Sequence, residues 1–247
     1  MTDRVPVSVC MATYNGAAYV EHQLRSILAE LHPDDEVVIV DDASSDDTVT
    51  LIEAIGDERI RVIRQIVNRG YVRTFEAALS QAKGEVVMLA DQDDEWIPGR
   101  RDVLQEAASA SGVAASNLVM LDSGEPLRSP ITGRPWRLEP STSGHRLRNE
   151  LRILAGVTPY FGCAMAVRRD VLPQILPFPP FLTESHDLWI ATLANRLGIM
   201  RHVAGPTVRR RIHESNASSS RPRAITQALQ ARGMLVRAYV EAGRRSR

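Results

Sequence analysis

Five consecutive apolar residues, Val86 to Ala90, run without a spacer into Asp91-Gln92-Asp93-Asp94-Glu95. A short, unbroken apolar run of this kind reads as a strand buried on both faces, hence a strand of a parallel sheet covered by helices. The carboxylates then sit at its C-terminal end, where open α/β sheets bind their ligands. Four like charges this close repel one another, and a hard divalent cation with a substrate diphosphate would relieve them. A solvated acidic turn opening a helix is the alternative, because carboxylates favour a helix N-terminus. The stretch alone leaves both readings open.

The residues before it repeat the pattern. Val5 to Met11 predicts a strand ending at Thr13-Tyr14, and Glu36 to Val40 a second ending at Asp41-Asp42. Arg59 to Ile66 predicts a third, followed by Asn68-Arg69-Gly70. Between them Val20, Leu24, Ile27, Leu28 and Leu31 fall at helical spacing, as do Val49, Ile52 and Ile55, and then Phe75, Ala78 and Leu79. Ser44 to Asp47 has capping-box spacing, which accounts for Asp46 and Asp47 but not for Asp41 or Asp42. Lys83-Gly84 reads as a C-cap. Strands alternating with helices imply a mostly parallel, doubly wound α/β sheet with right-handed crossovers. Its first, second and fourth strand ends can then surround one ligand with Thr13-Tyr14, Asp41-Asp42 and Asp91-Asp93. No glycine-rich dinucleotide fingerprint and no Walker lysine is present.

Of the 247 residues, 44% are hydrophobic and 24% charged, which suits one large domain with a full core. Residues 1–100 hold 19 Asp/Glu against 9 Lys/Arg, and residues 201–247 hold 2 against 11. The acidic front argues against nucleic acid as a partner, while the basic end suits phosphate or anionic lipid. Cys10 and Cys163 lie in apolar surroundings without metal spacing and read as buried free thiols. No apolar run reaches the ~20 residues of a membrane span. A cytoplasmic protein is expected, with peripheral contact at the inner face of the membrane as an option.

Beyond Arg100 the pattern loosens. Residues 122–144, rich in Gly, Pro and Ser, predict a long loop of the kind that lids or lines a site. Asp187 opens a helix carrying Leu188, Leu193 and Leu197, where its bland role is that of a cap. His213 follows Arg210-Arg211-Ile212. Residues 217–247 are expected to form a basic helical extension of a domain spanning 1–216, with Ile225, Leu229 and Val236 on its apolar face and Arg223, Arg232 and Arg237 more exposed.

Six short motifs stand in a telling order: Ala12-Thr-Tyr-Asn-Gly16, Asp41-Asp42, Asn68-Arg-Gly70, Asp91-Gln-Asp93-Asp94, His186-Asp187-Leu-Trp189 and Arg211-Ile-His213. Together they resemble the family 2 inverting glycosyltransferases, and within them the rhamnosyltransferase-like branch, over about Val5 to Asn216. The resemblance implies a GT-A fold, a UDP-, GDP- or dTDP-linked sugar donor, a saccharide or glycolipid hydroxyl as acceptor, and Mn²⁺ or Mg²⁺. It implies base and ribose contacts at Thr13 and Asp42, and ribose and metal contacts at Asp91 and Asp93. It further implies a catalytic base at Asp187 and a metal and diphosphate contact at His213. Tyr14, Asp41, Asn68 and Gly70 join the donor set by their place in these motifs. Arg69 and Arg73 suit phosphate, with a solvated surface as the alternative. The chain departs from the family's Tyr-Arg-Gln-His at Arg210 and Ile212, and from its frequent glycine at Ala43.

Sugar transfer needs a base for the acceptor hydroxyl, charge neutralisation on the leaving diphosphate, and orientation. A single carboxylate base without a second nucleophilic carboxylate implies one displacement with inversion. A non-catalytic nucleotide or carbohydrate binder of the same fold, and a sugar nucleotidyltransferase, are the alternatives. The second of these would need a basic, glycine-rich loop that Ala12–Gly16 does not supply.

Overall fold

Each apolar run becomes a strand because its side chains find helices on both sides of the sheet. The structure is a computed structural model, and it describes residues 4–129, 132–213 and 225–246. In chain order the elements are β1 (Val7–Thr13), α1 (Val20–Leu28), β2 (Glu36–Asp41), α2 (Thr48–Ala54), β3 (Ile60–Arg64), α3 (Tyr71–Ser80), β4 (Val86–Ala90) and β5 (Glu95–Trp96). They continue with α4 (Arg100–Ser111), β6 (Val113–Met120), α5 (Arg146–Ala155), β7 (Met165–Arg168), α6 (Leu172–Ile175), α7 (His186–Leu197), β8 (Met200–Arg210) and α8 (Ile225–Arg245). The sheet order is β3-β2-β1-β4-β7-β6-β8-β5. β1 to β4 are parallel as expected, whereas β7 runs antiparallel to both β4 and β6, and β5 antiparallel to β8.

Alternation along the strands supplies both cores. Val9, Met11, Val37, Ile39 and Met88 face one side, packed with Leu24, Ile27 and Leu104. Cys10, Val38, Val40, Val87 and Leu89 face the other, packed with Phe75, Leu79, Trp189 and Leu193. The parallel register pairs Thr13 with Asp41 and Met11 with Ala90, so three strand ends emerge level. Gly84 is not the cap of α3, which ends at Ser80 with Gln81 as its C-cap. It lies against β1, where an added Cβ would come within 2.5 Å of the Ser8 amide nitrogen.

The α8 helix docks on the domain, burying Met234, Leu235, Ala238 and Ala242 in the core shared with α7. Val236, expected on the apolar face, is 53% exposed. The helix has apolar residues on more than one stripe, and contact with α7 selects which stripe is buried. Arg232 and Arg237 are exposed as expected, and Arg237 lies over the Phe181 ring. Arg223 and the side chains of Ile225 and Leu229 lie outside the described residues. Among those described, no helix is long and apolar enough to cross a membrane.

Candidate active site

A cavity of about 570 Å³ opens where β1, β2 and β4 end, a volume typical of small-molecule sites. Thr13, Tyr14, Asp42, Asn68, Gly70, Asp91, Asp93, Asp187 and His213 all line it. Sequence-distant motifs converge there because the sheet levels its strand ends and β8 delivers His213 from the far side. Antiparallel pairing of Glu95 with Arg209 holds the loop after β4 against the end of β8. Arg211 then ties the two together, its amide donating to Asp94 Oδ1 (3.1 Å) and its Nε to the Asp93 carbonyl (3.1 Å).

The wall formed by β1 and β2 is saturated with internal hydrogen bonds. Asp41 does not line the cavity; it is buried and accepts from the Thr13 hydroxyl (3.0 Å), the Ser44 amide (2.9 Å) and the Ser44 hydroxyl (2.5 Å). That engagement removes Ser44 from the expected capping box. Asp47 is the N-cap of α2, and Asp46 just before it accepts from the amides of Thr48 and Ala17. Asp42 accepts from the amides of Arg69 (2.7 Å) and Gly70 (2.9 Å), fixing the entry to α3. Gln92 clasps Tyr14 through both its amide and its carbonyl, at 3.0 and 3.1 Å.

The two arginines expected at phosphate lie elsewhere. Arg69 has an exposed side chain outside the lining, as the solvated-surface alternative holds. Arg73 donates to the Glu76 carboxylate and to the carbonyls of Phe178 (3.1 Å) and Pro179 (2.8 Å), so it clamps the segment before α7. Residues 122–144 likewise contribute nothing to the lining among those described. The segment is held back by its own backbone bonds, and Trp136 reaches only the rear of Phe161, edge-on at 5.9 Å.

At the end of β4 the carboxylates divide. Glu95 turns away to His22 (2.7 Å) and Arg209. Asp93 Oδ2 meets His213 Nε2 at 2.6 Å, and the His213 ring stacks on Tyr19 with centroids 4.6 Å apart. Asp91 has no side-chain hydrogen bond to any described residue; burial and the neighbouring Asp94 and Asp93 push its carboxyl well above the usual range. Asp94 is buried, and burial with the Asp93 charge raises it to about 6. Among the described residues no nitrogen or oxygen donor reaches its Oδ2, which has the Cys163 thiol as a neighbour, a costly state for a buried polar atom. Cys163, expected only as a buried thiol, joins Asp91 and Asp94 in one group whose ligand-capable atoms lie within 4.8 Å of one another. Carboxylate oxygens with an imidazole nitrogen form a donor set that fits Mn²⁺ or Mg²⁺, and the orphaned Asp94 oxygen beside repelling carboxylates fits a missing positive charge.

Asp187 stands in the first turn of α7, with Ser185 as the N-cap rather than Asp187 itself. Burial raises it to about 6 against the opposing pull of the Leu188 and Gly162 amides and the Arg210 charge. A carboxylate poised there accepts a proton effectively near neutral pH. Gly162 packs so closely that an added Cβ would lie 2.9 Å from His186 Nε2. His186 is enclosed by Phe75, Tyr71 and Phe178, and burial lowers it to about 3. It is therefore neutral and does not compete for the proton. Asn15, Ala43 and Ser185 are the described non-glycine residues with positive φ, at 46°, 63° and 59°. Each adjoins a lining residue, and strained backbone of this kind gathers at functional sites.

Sequence reasoning missed Tyr19, Gln92, Phe161, Gly162 and Arg210 in the lining, and Arg100 behind it. Arg100 is fully buried and donates to the carbonyls of Leu89 (3.1 Å) and Cys163 (2.7 Å). Gln92 and Arg210 lie inside charged runs that point to their neighbours instead, and Tyr19, Phe161, Gly162 and Arg100 carry no local signal.

The profile of glycosyl transferase family 2 matches residues 8–176. An uncharacterized glycosyltransferase of Nostoc sp. (strain PCC 7120) is 31% identical over 184 residues, covering 70% of this chain and 54% of its own length. The succinoglycan biosynthesis protein ExoO of Rhizobium meliloti is 39% identical over 131 residues, covering 51% of this chain and 37% of its own. The chain thus spans about half, or less, of these relatives. Among solved structures, S. aureus TarS 1–349 with UDP-GlcNAc superposes with a TM-score of 0.71 at 18% identity, covering 98% of this chain and 70% of that one. The mannosyltransferase PcManGT of Pyrobaculum calidifontis, with GDP-Man and Mn²⁺, does so at 0.60 and 26%, covering 98% and 65%.

Proposed function

The chain belongs to glycosyl transferase family 2 and has the GT-A fold, and on that premise we propose that it moves a sugar from a nucleoside diphosphate donor to an acceptor hydroxyl with inversion. The observation that carries this reading is a carboxylate poised at about 6, Asp187, sharing one cavity with the Asp93–His213 pair and with Asp91. Thr13, Tyr14, Asp42, Asn68 and Gly70 form the wall that takes the nucleoside. Asp91, Asp93 and His213 would hold Mn²⁺ or Mg²⁺, which supplies Lewis-acid stabilisation of the leaving diphosphate when bound. Asp187 accepts the proton of the acceptor hydroxyl as that oxygen attacks the anomeric carbon. The bond from that carbon to the diphosphate oxygen breaks on the opposite face, leaving an inverted glycoside and a nucleoside diphosphate.

Residues 1–216 make up the transferase domain in this reading, with 217–247 attached through α8. Relatives named for succinoglycan biosynthesis and for glucosyl transfer to GlcNAc-diphosphoundecaprenol support a bacterial cell-surface polysaccharide or glycolipid as the product. A lipid-linked acceptor fits peripheral work at the membrane's inner face. The narrowest version has rhamnose as the sugar and dTDP, UDP or GDP as its carrier.

The test is incubation with dTDP-rhamnose and UDP-, GDP- and other dTDP-sugars, Mn²⁺ and a bacterial lipid-linked saccharide extract, following nucleoside diphosphate and the glycoside's anomeric configuration. Release of nucleoside diphosphate with an inverted product is expected. Binding without turnover would leave a non-catalytic binder, and formation of sugar nucleotide with release of pyrophosphate in a parallel incubation with nucleoside triphosphates and sugar 1-phosphates would make it a nucleotidyltransferase.

A further inference from the structure

Among the described residues that line the cavity, Arg210 is the sole arginine or lysine. Alternation at the end of β8 decides its direction. Arg209 turns outward to Glu95, so Arg210 turns inward and lays its guanidinium over Phe161, with Cζ 5.1 Å from the ring centroid. Trp136 meets that ring edge-on, at 87°. The segment that does not line the cavity therefore bears on it through the contacts of Trp136 with Phe161 and of Phe161 with Arg210.

What sets Arg210 apart is that no described residue accepts a hydrogen bond from its guanidinium. Arg73, Arg100 and Arg211 each spend their N–H groups on carboxylates or carbonyls. No hydrogen bond or ion pair joins the Arg210 guanidinium to any described residue. Asp91, Asp94 and Asp187 feel its charge, yet none comes within ion-pair distance. A planar fork of donors, held by stacking and left without an internal acceptor, suits an anion with several oxygens in fixed geometry. In the resembling family this position is commonly Tyr, which carries no such charge.

Resting on the reading of the cavity as a nucleoside diphosphate sugar site, we propose that Arg210 binds the diphosphate of the donor and stabilises it as it departs, with Phe161 and Trp136 holding the plane of the guanidinium. The contact strengthens as the bond to the sugar breaks, because negative charge grows on the bridging oxygen. The competing role is a counter-charge that merely balances the surrounding carboxylates.

Calorimetry distinguishes them, with dTDP, UDP, GDP, inorganic pyrophosphate, thymidine, uridine and guanosine titrated at fixed Mn²⁺ into wild type, Arg210→Gln and Arg210→Lys. The glutamine variant is expected to lose about 10–100-fold affinity for the tightest nucleoside diphosphate and for pyrophosphate, as for loss of a charge-assisted contact. Its affinity for the parent nucleoside should change less than about 2-fold, and lysine should restore part of the loss because it keeps the charge without the fork. Equal weakening of nucleoside and diphosphate, or none in either, overturns the assignment and leaves a counter-charge. Should the glutamine variant not fold, the lysine variant decides by the same difference between diphosphate and nucleoside. A wild-type protein that binds no nucleoside diphosphate refutes the donor-site reading and this inference with it, whereas wild-type binding unaltered by both variants refutes this inference alone.

Discussion

β2 and β4 end in nearly the same way. One runs Val-Val-Ile-Val into Asp41-Asp42, the other Val-Val-Met-Leu-Ala into Asp91-Gln92-Asp93-Asp94. Their carboxylates meet different fates. Asp41 and Asp42 are fully buried and fully engaged, accepting from a threonine hydroxyl, a serine hydroxyl and three backbone amides. Asp91 and Asp94 crowd one another beside a buried thiol, with one Asp94 oxygen orphaned. The first pair is scaffold that shapes the wall proposed to take the nucleoside. The second is a group of mutually repelling carboxylates, whereas Asp187, also raised by burial, accepts from the Leu188 and Gly162 amides. Similar local sequence therefore carries two physical roles, separated by whether protein groups supply the hydrogen-bond donors.

The largest expected effect breaks this contrast at Asp187. Asp187→Asn keeps the shape and removes the proton acceptor, so sugar transfer should fall by about 10²–10⁴ with nucleotide affinity near normal. Steady-state rates and calorimetry on one preparation check it. A variant transferring at close to the wild-type rate would leave Asp187 as a helix-start residue and send the search to Glu184.

Next comes a double dissociation between the strand ends. Asp93→Asn and His213→Ala should each weaken Mn²⁺-dependent nucleoside diphosphate binding by at least about 10-fold, since both lose a ligand at the charged end, with melting temperatures little altered. Asp41→Ala should do the reverse at the scaffold end. It leaves the donors of Thr13 and Ser44 unmet in a buried place and should cost about 1–3 kcal/mol of stability with Mn²⁺ affinity nearly unchanged. Loss of stability in the first set, or of metal binding in the second, would dissolve the distinction.

pH sharpens it further. Asp187 works as a base only when ionised, so the transfer rate should rise through about pH 6 and level off above it. The stability consequence has the opposite sign to the usual acidic residue. A folded-state value above the unfolded one favours the protonated form, so the group's contribution is fully present below about pH 4 and lost as pH climbs through 6. Asp187→Asn should thus be at least as stable as wild type at pH 7 to 8, with any advantage vanishing near pH 4, as urea unfolding at the two extremes would show. A rate that is flat from pH 5 to 8 would place the base elsewhere.

The smallest effect is at Ala43, whose φ of 63° follows Asp42. Ala43→Gly should relieve left-handed strain and raise stability by up to about 1 kcal/mol, leaving Mn²⁺ binding unchanged. Chemical denaturation would detect it, and a destabilised variant would mean that the Ala43 methyl is packed rather than strained.

The sequence by itself determined the strand and helix alternation, the parallel β1–β4 half, and the convergence of Thr13, Asp42, Asp91 and Asp93 at level strand ends. Those follow from period and polarity, which are local and survive translation into any sheet of this kind. The docked α8 was legible as an amphipathic helix but not by face, because Val236 and Leu235 are equally apolar and only contact with α7 chooses between them. Arg73 and Arg69 could not be separated from Arg210 by composition. A guanidinium points where its backbone and neighbours leave room, and here one clamps carbonyls, one meets solvent and one enters the cavity. The segment 122–144 has no period to read, so its indirect hold on the site through Trp136 and Phe161 was invisible. Above all, tertiary structure alone decided which carboxylates were satisfied. Hydrogen-bond donors come from residues far away in the chain, Asp42 taking its two from Arg69 and Gly70, while Asp94 Oδ2 receives no N–H or O–H from the described residues.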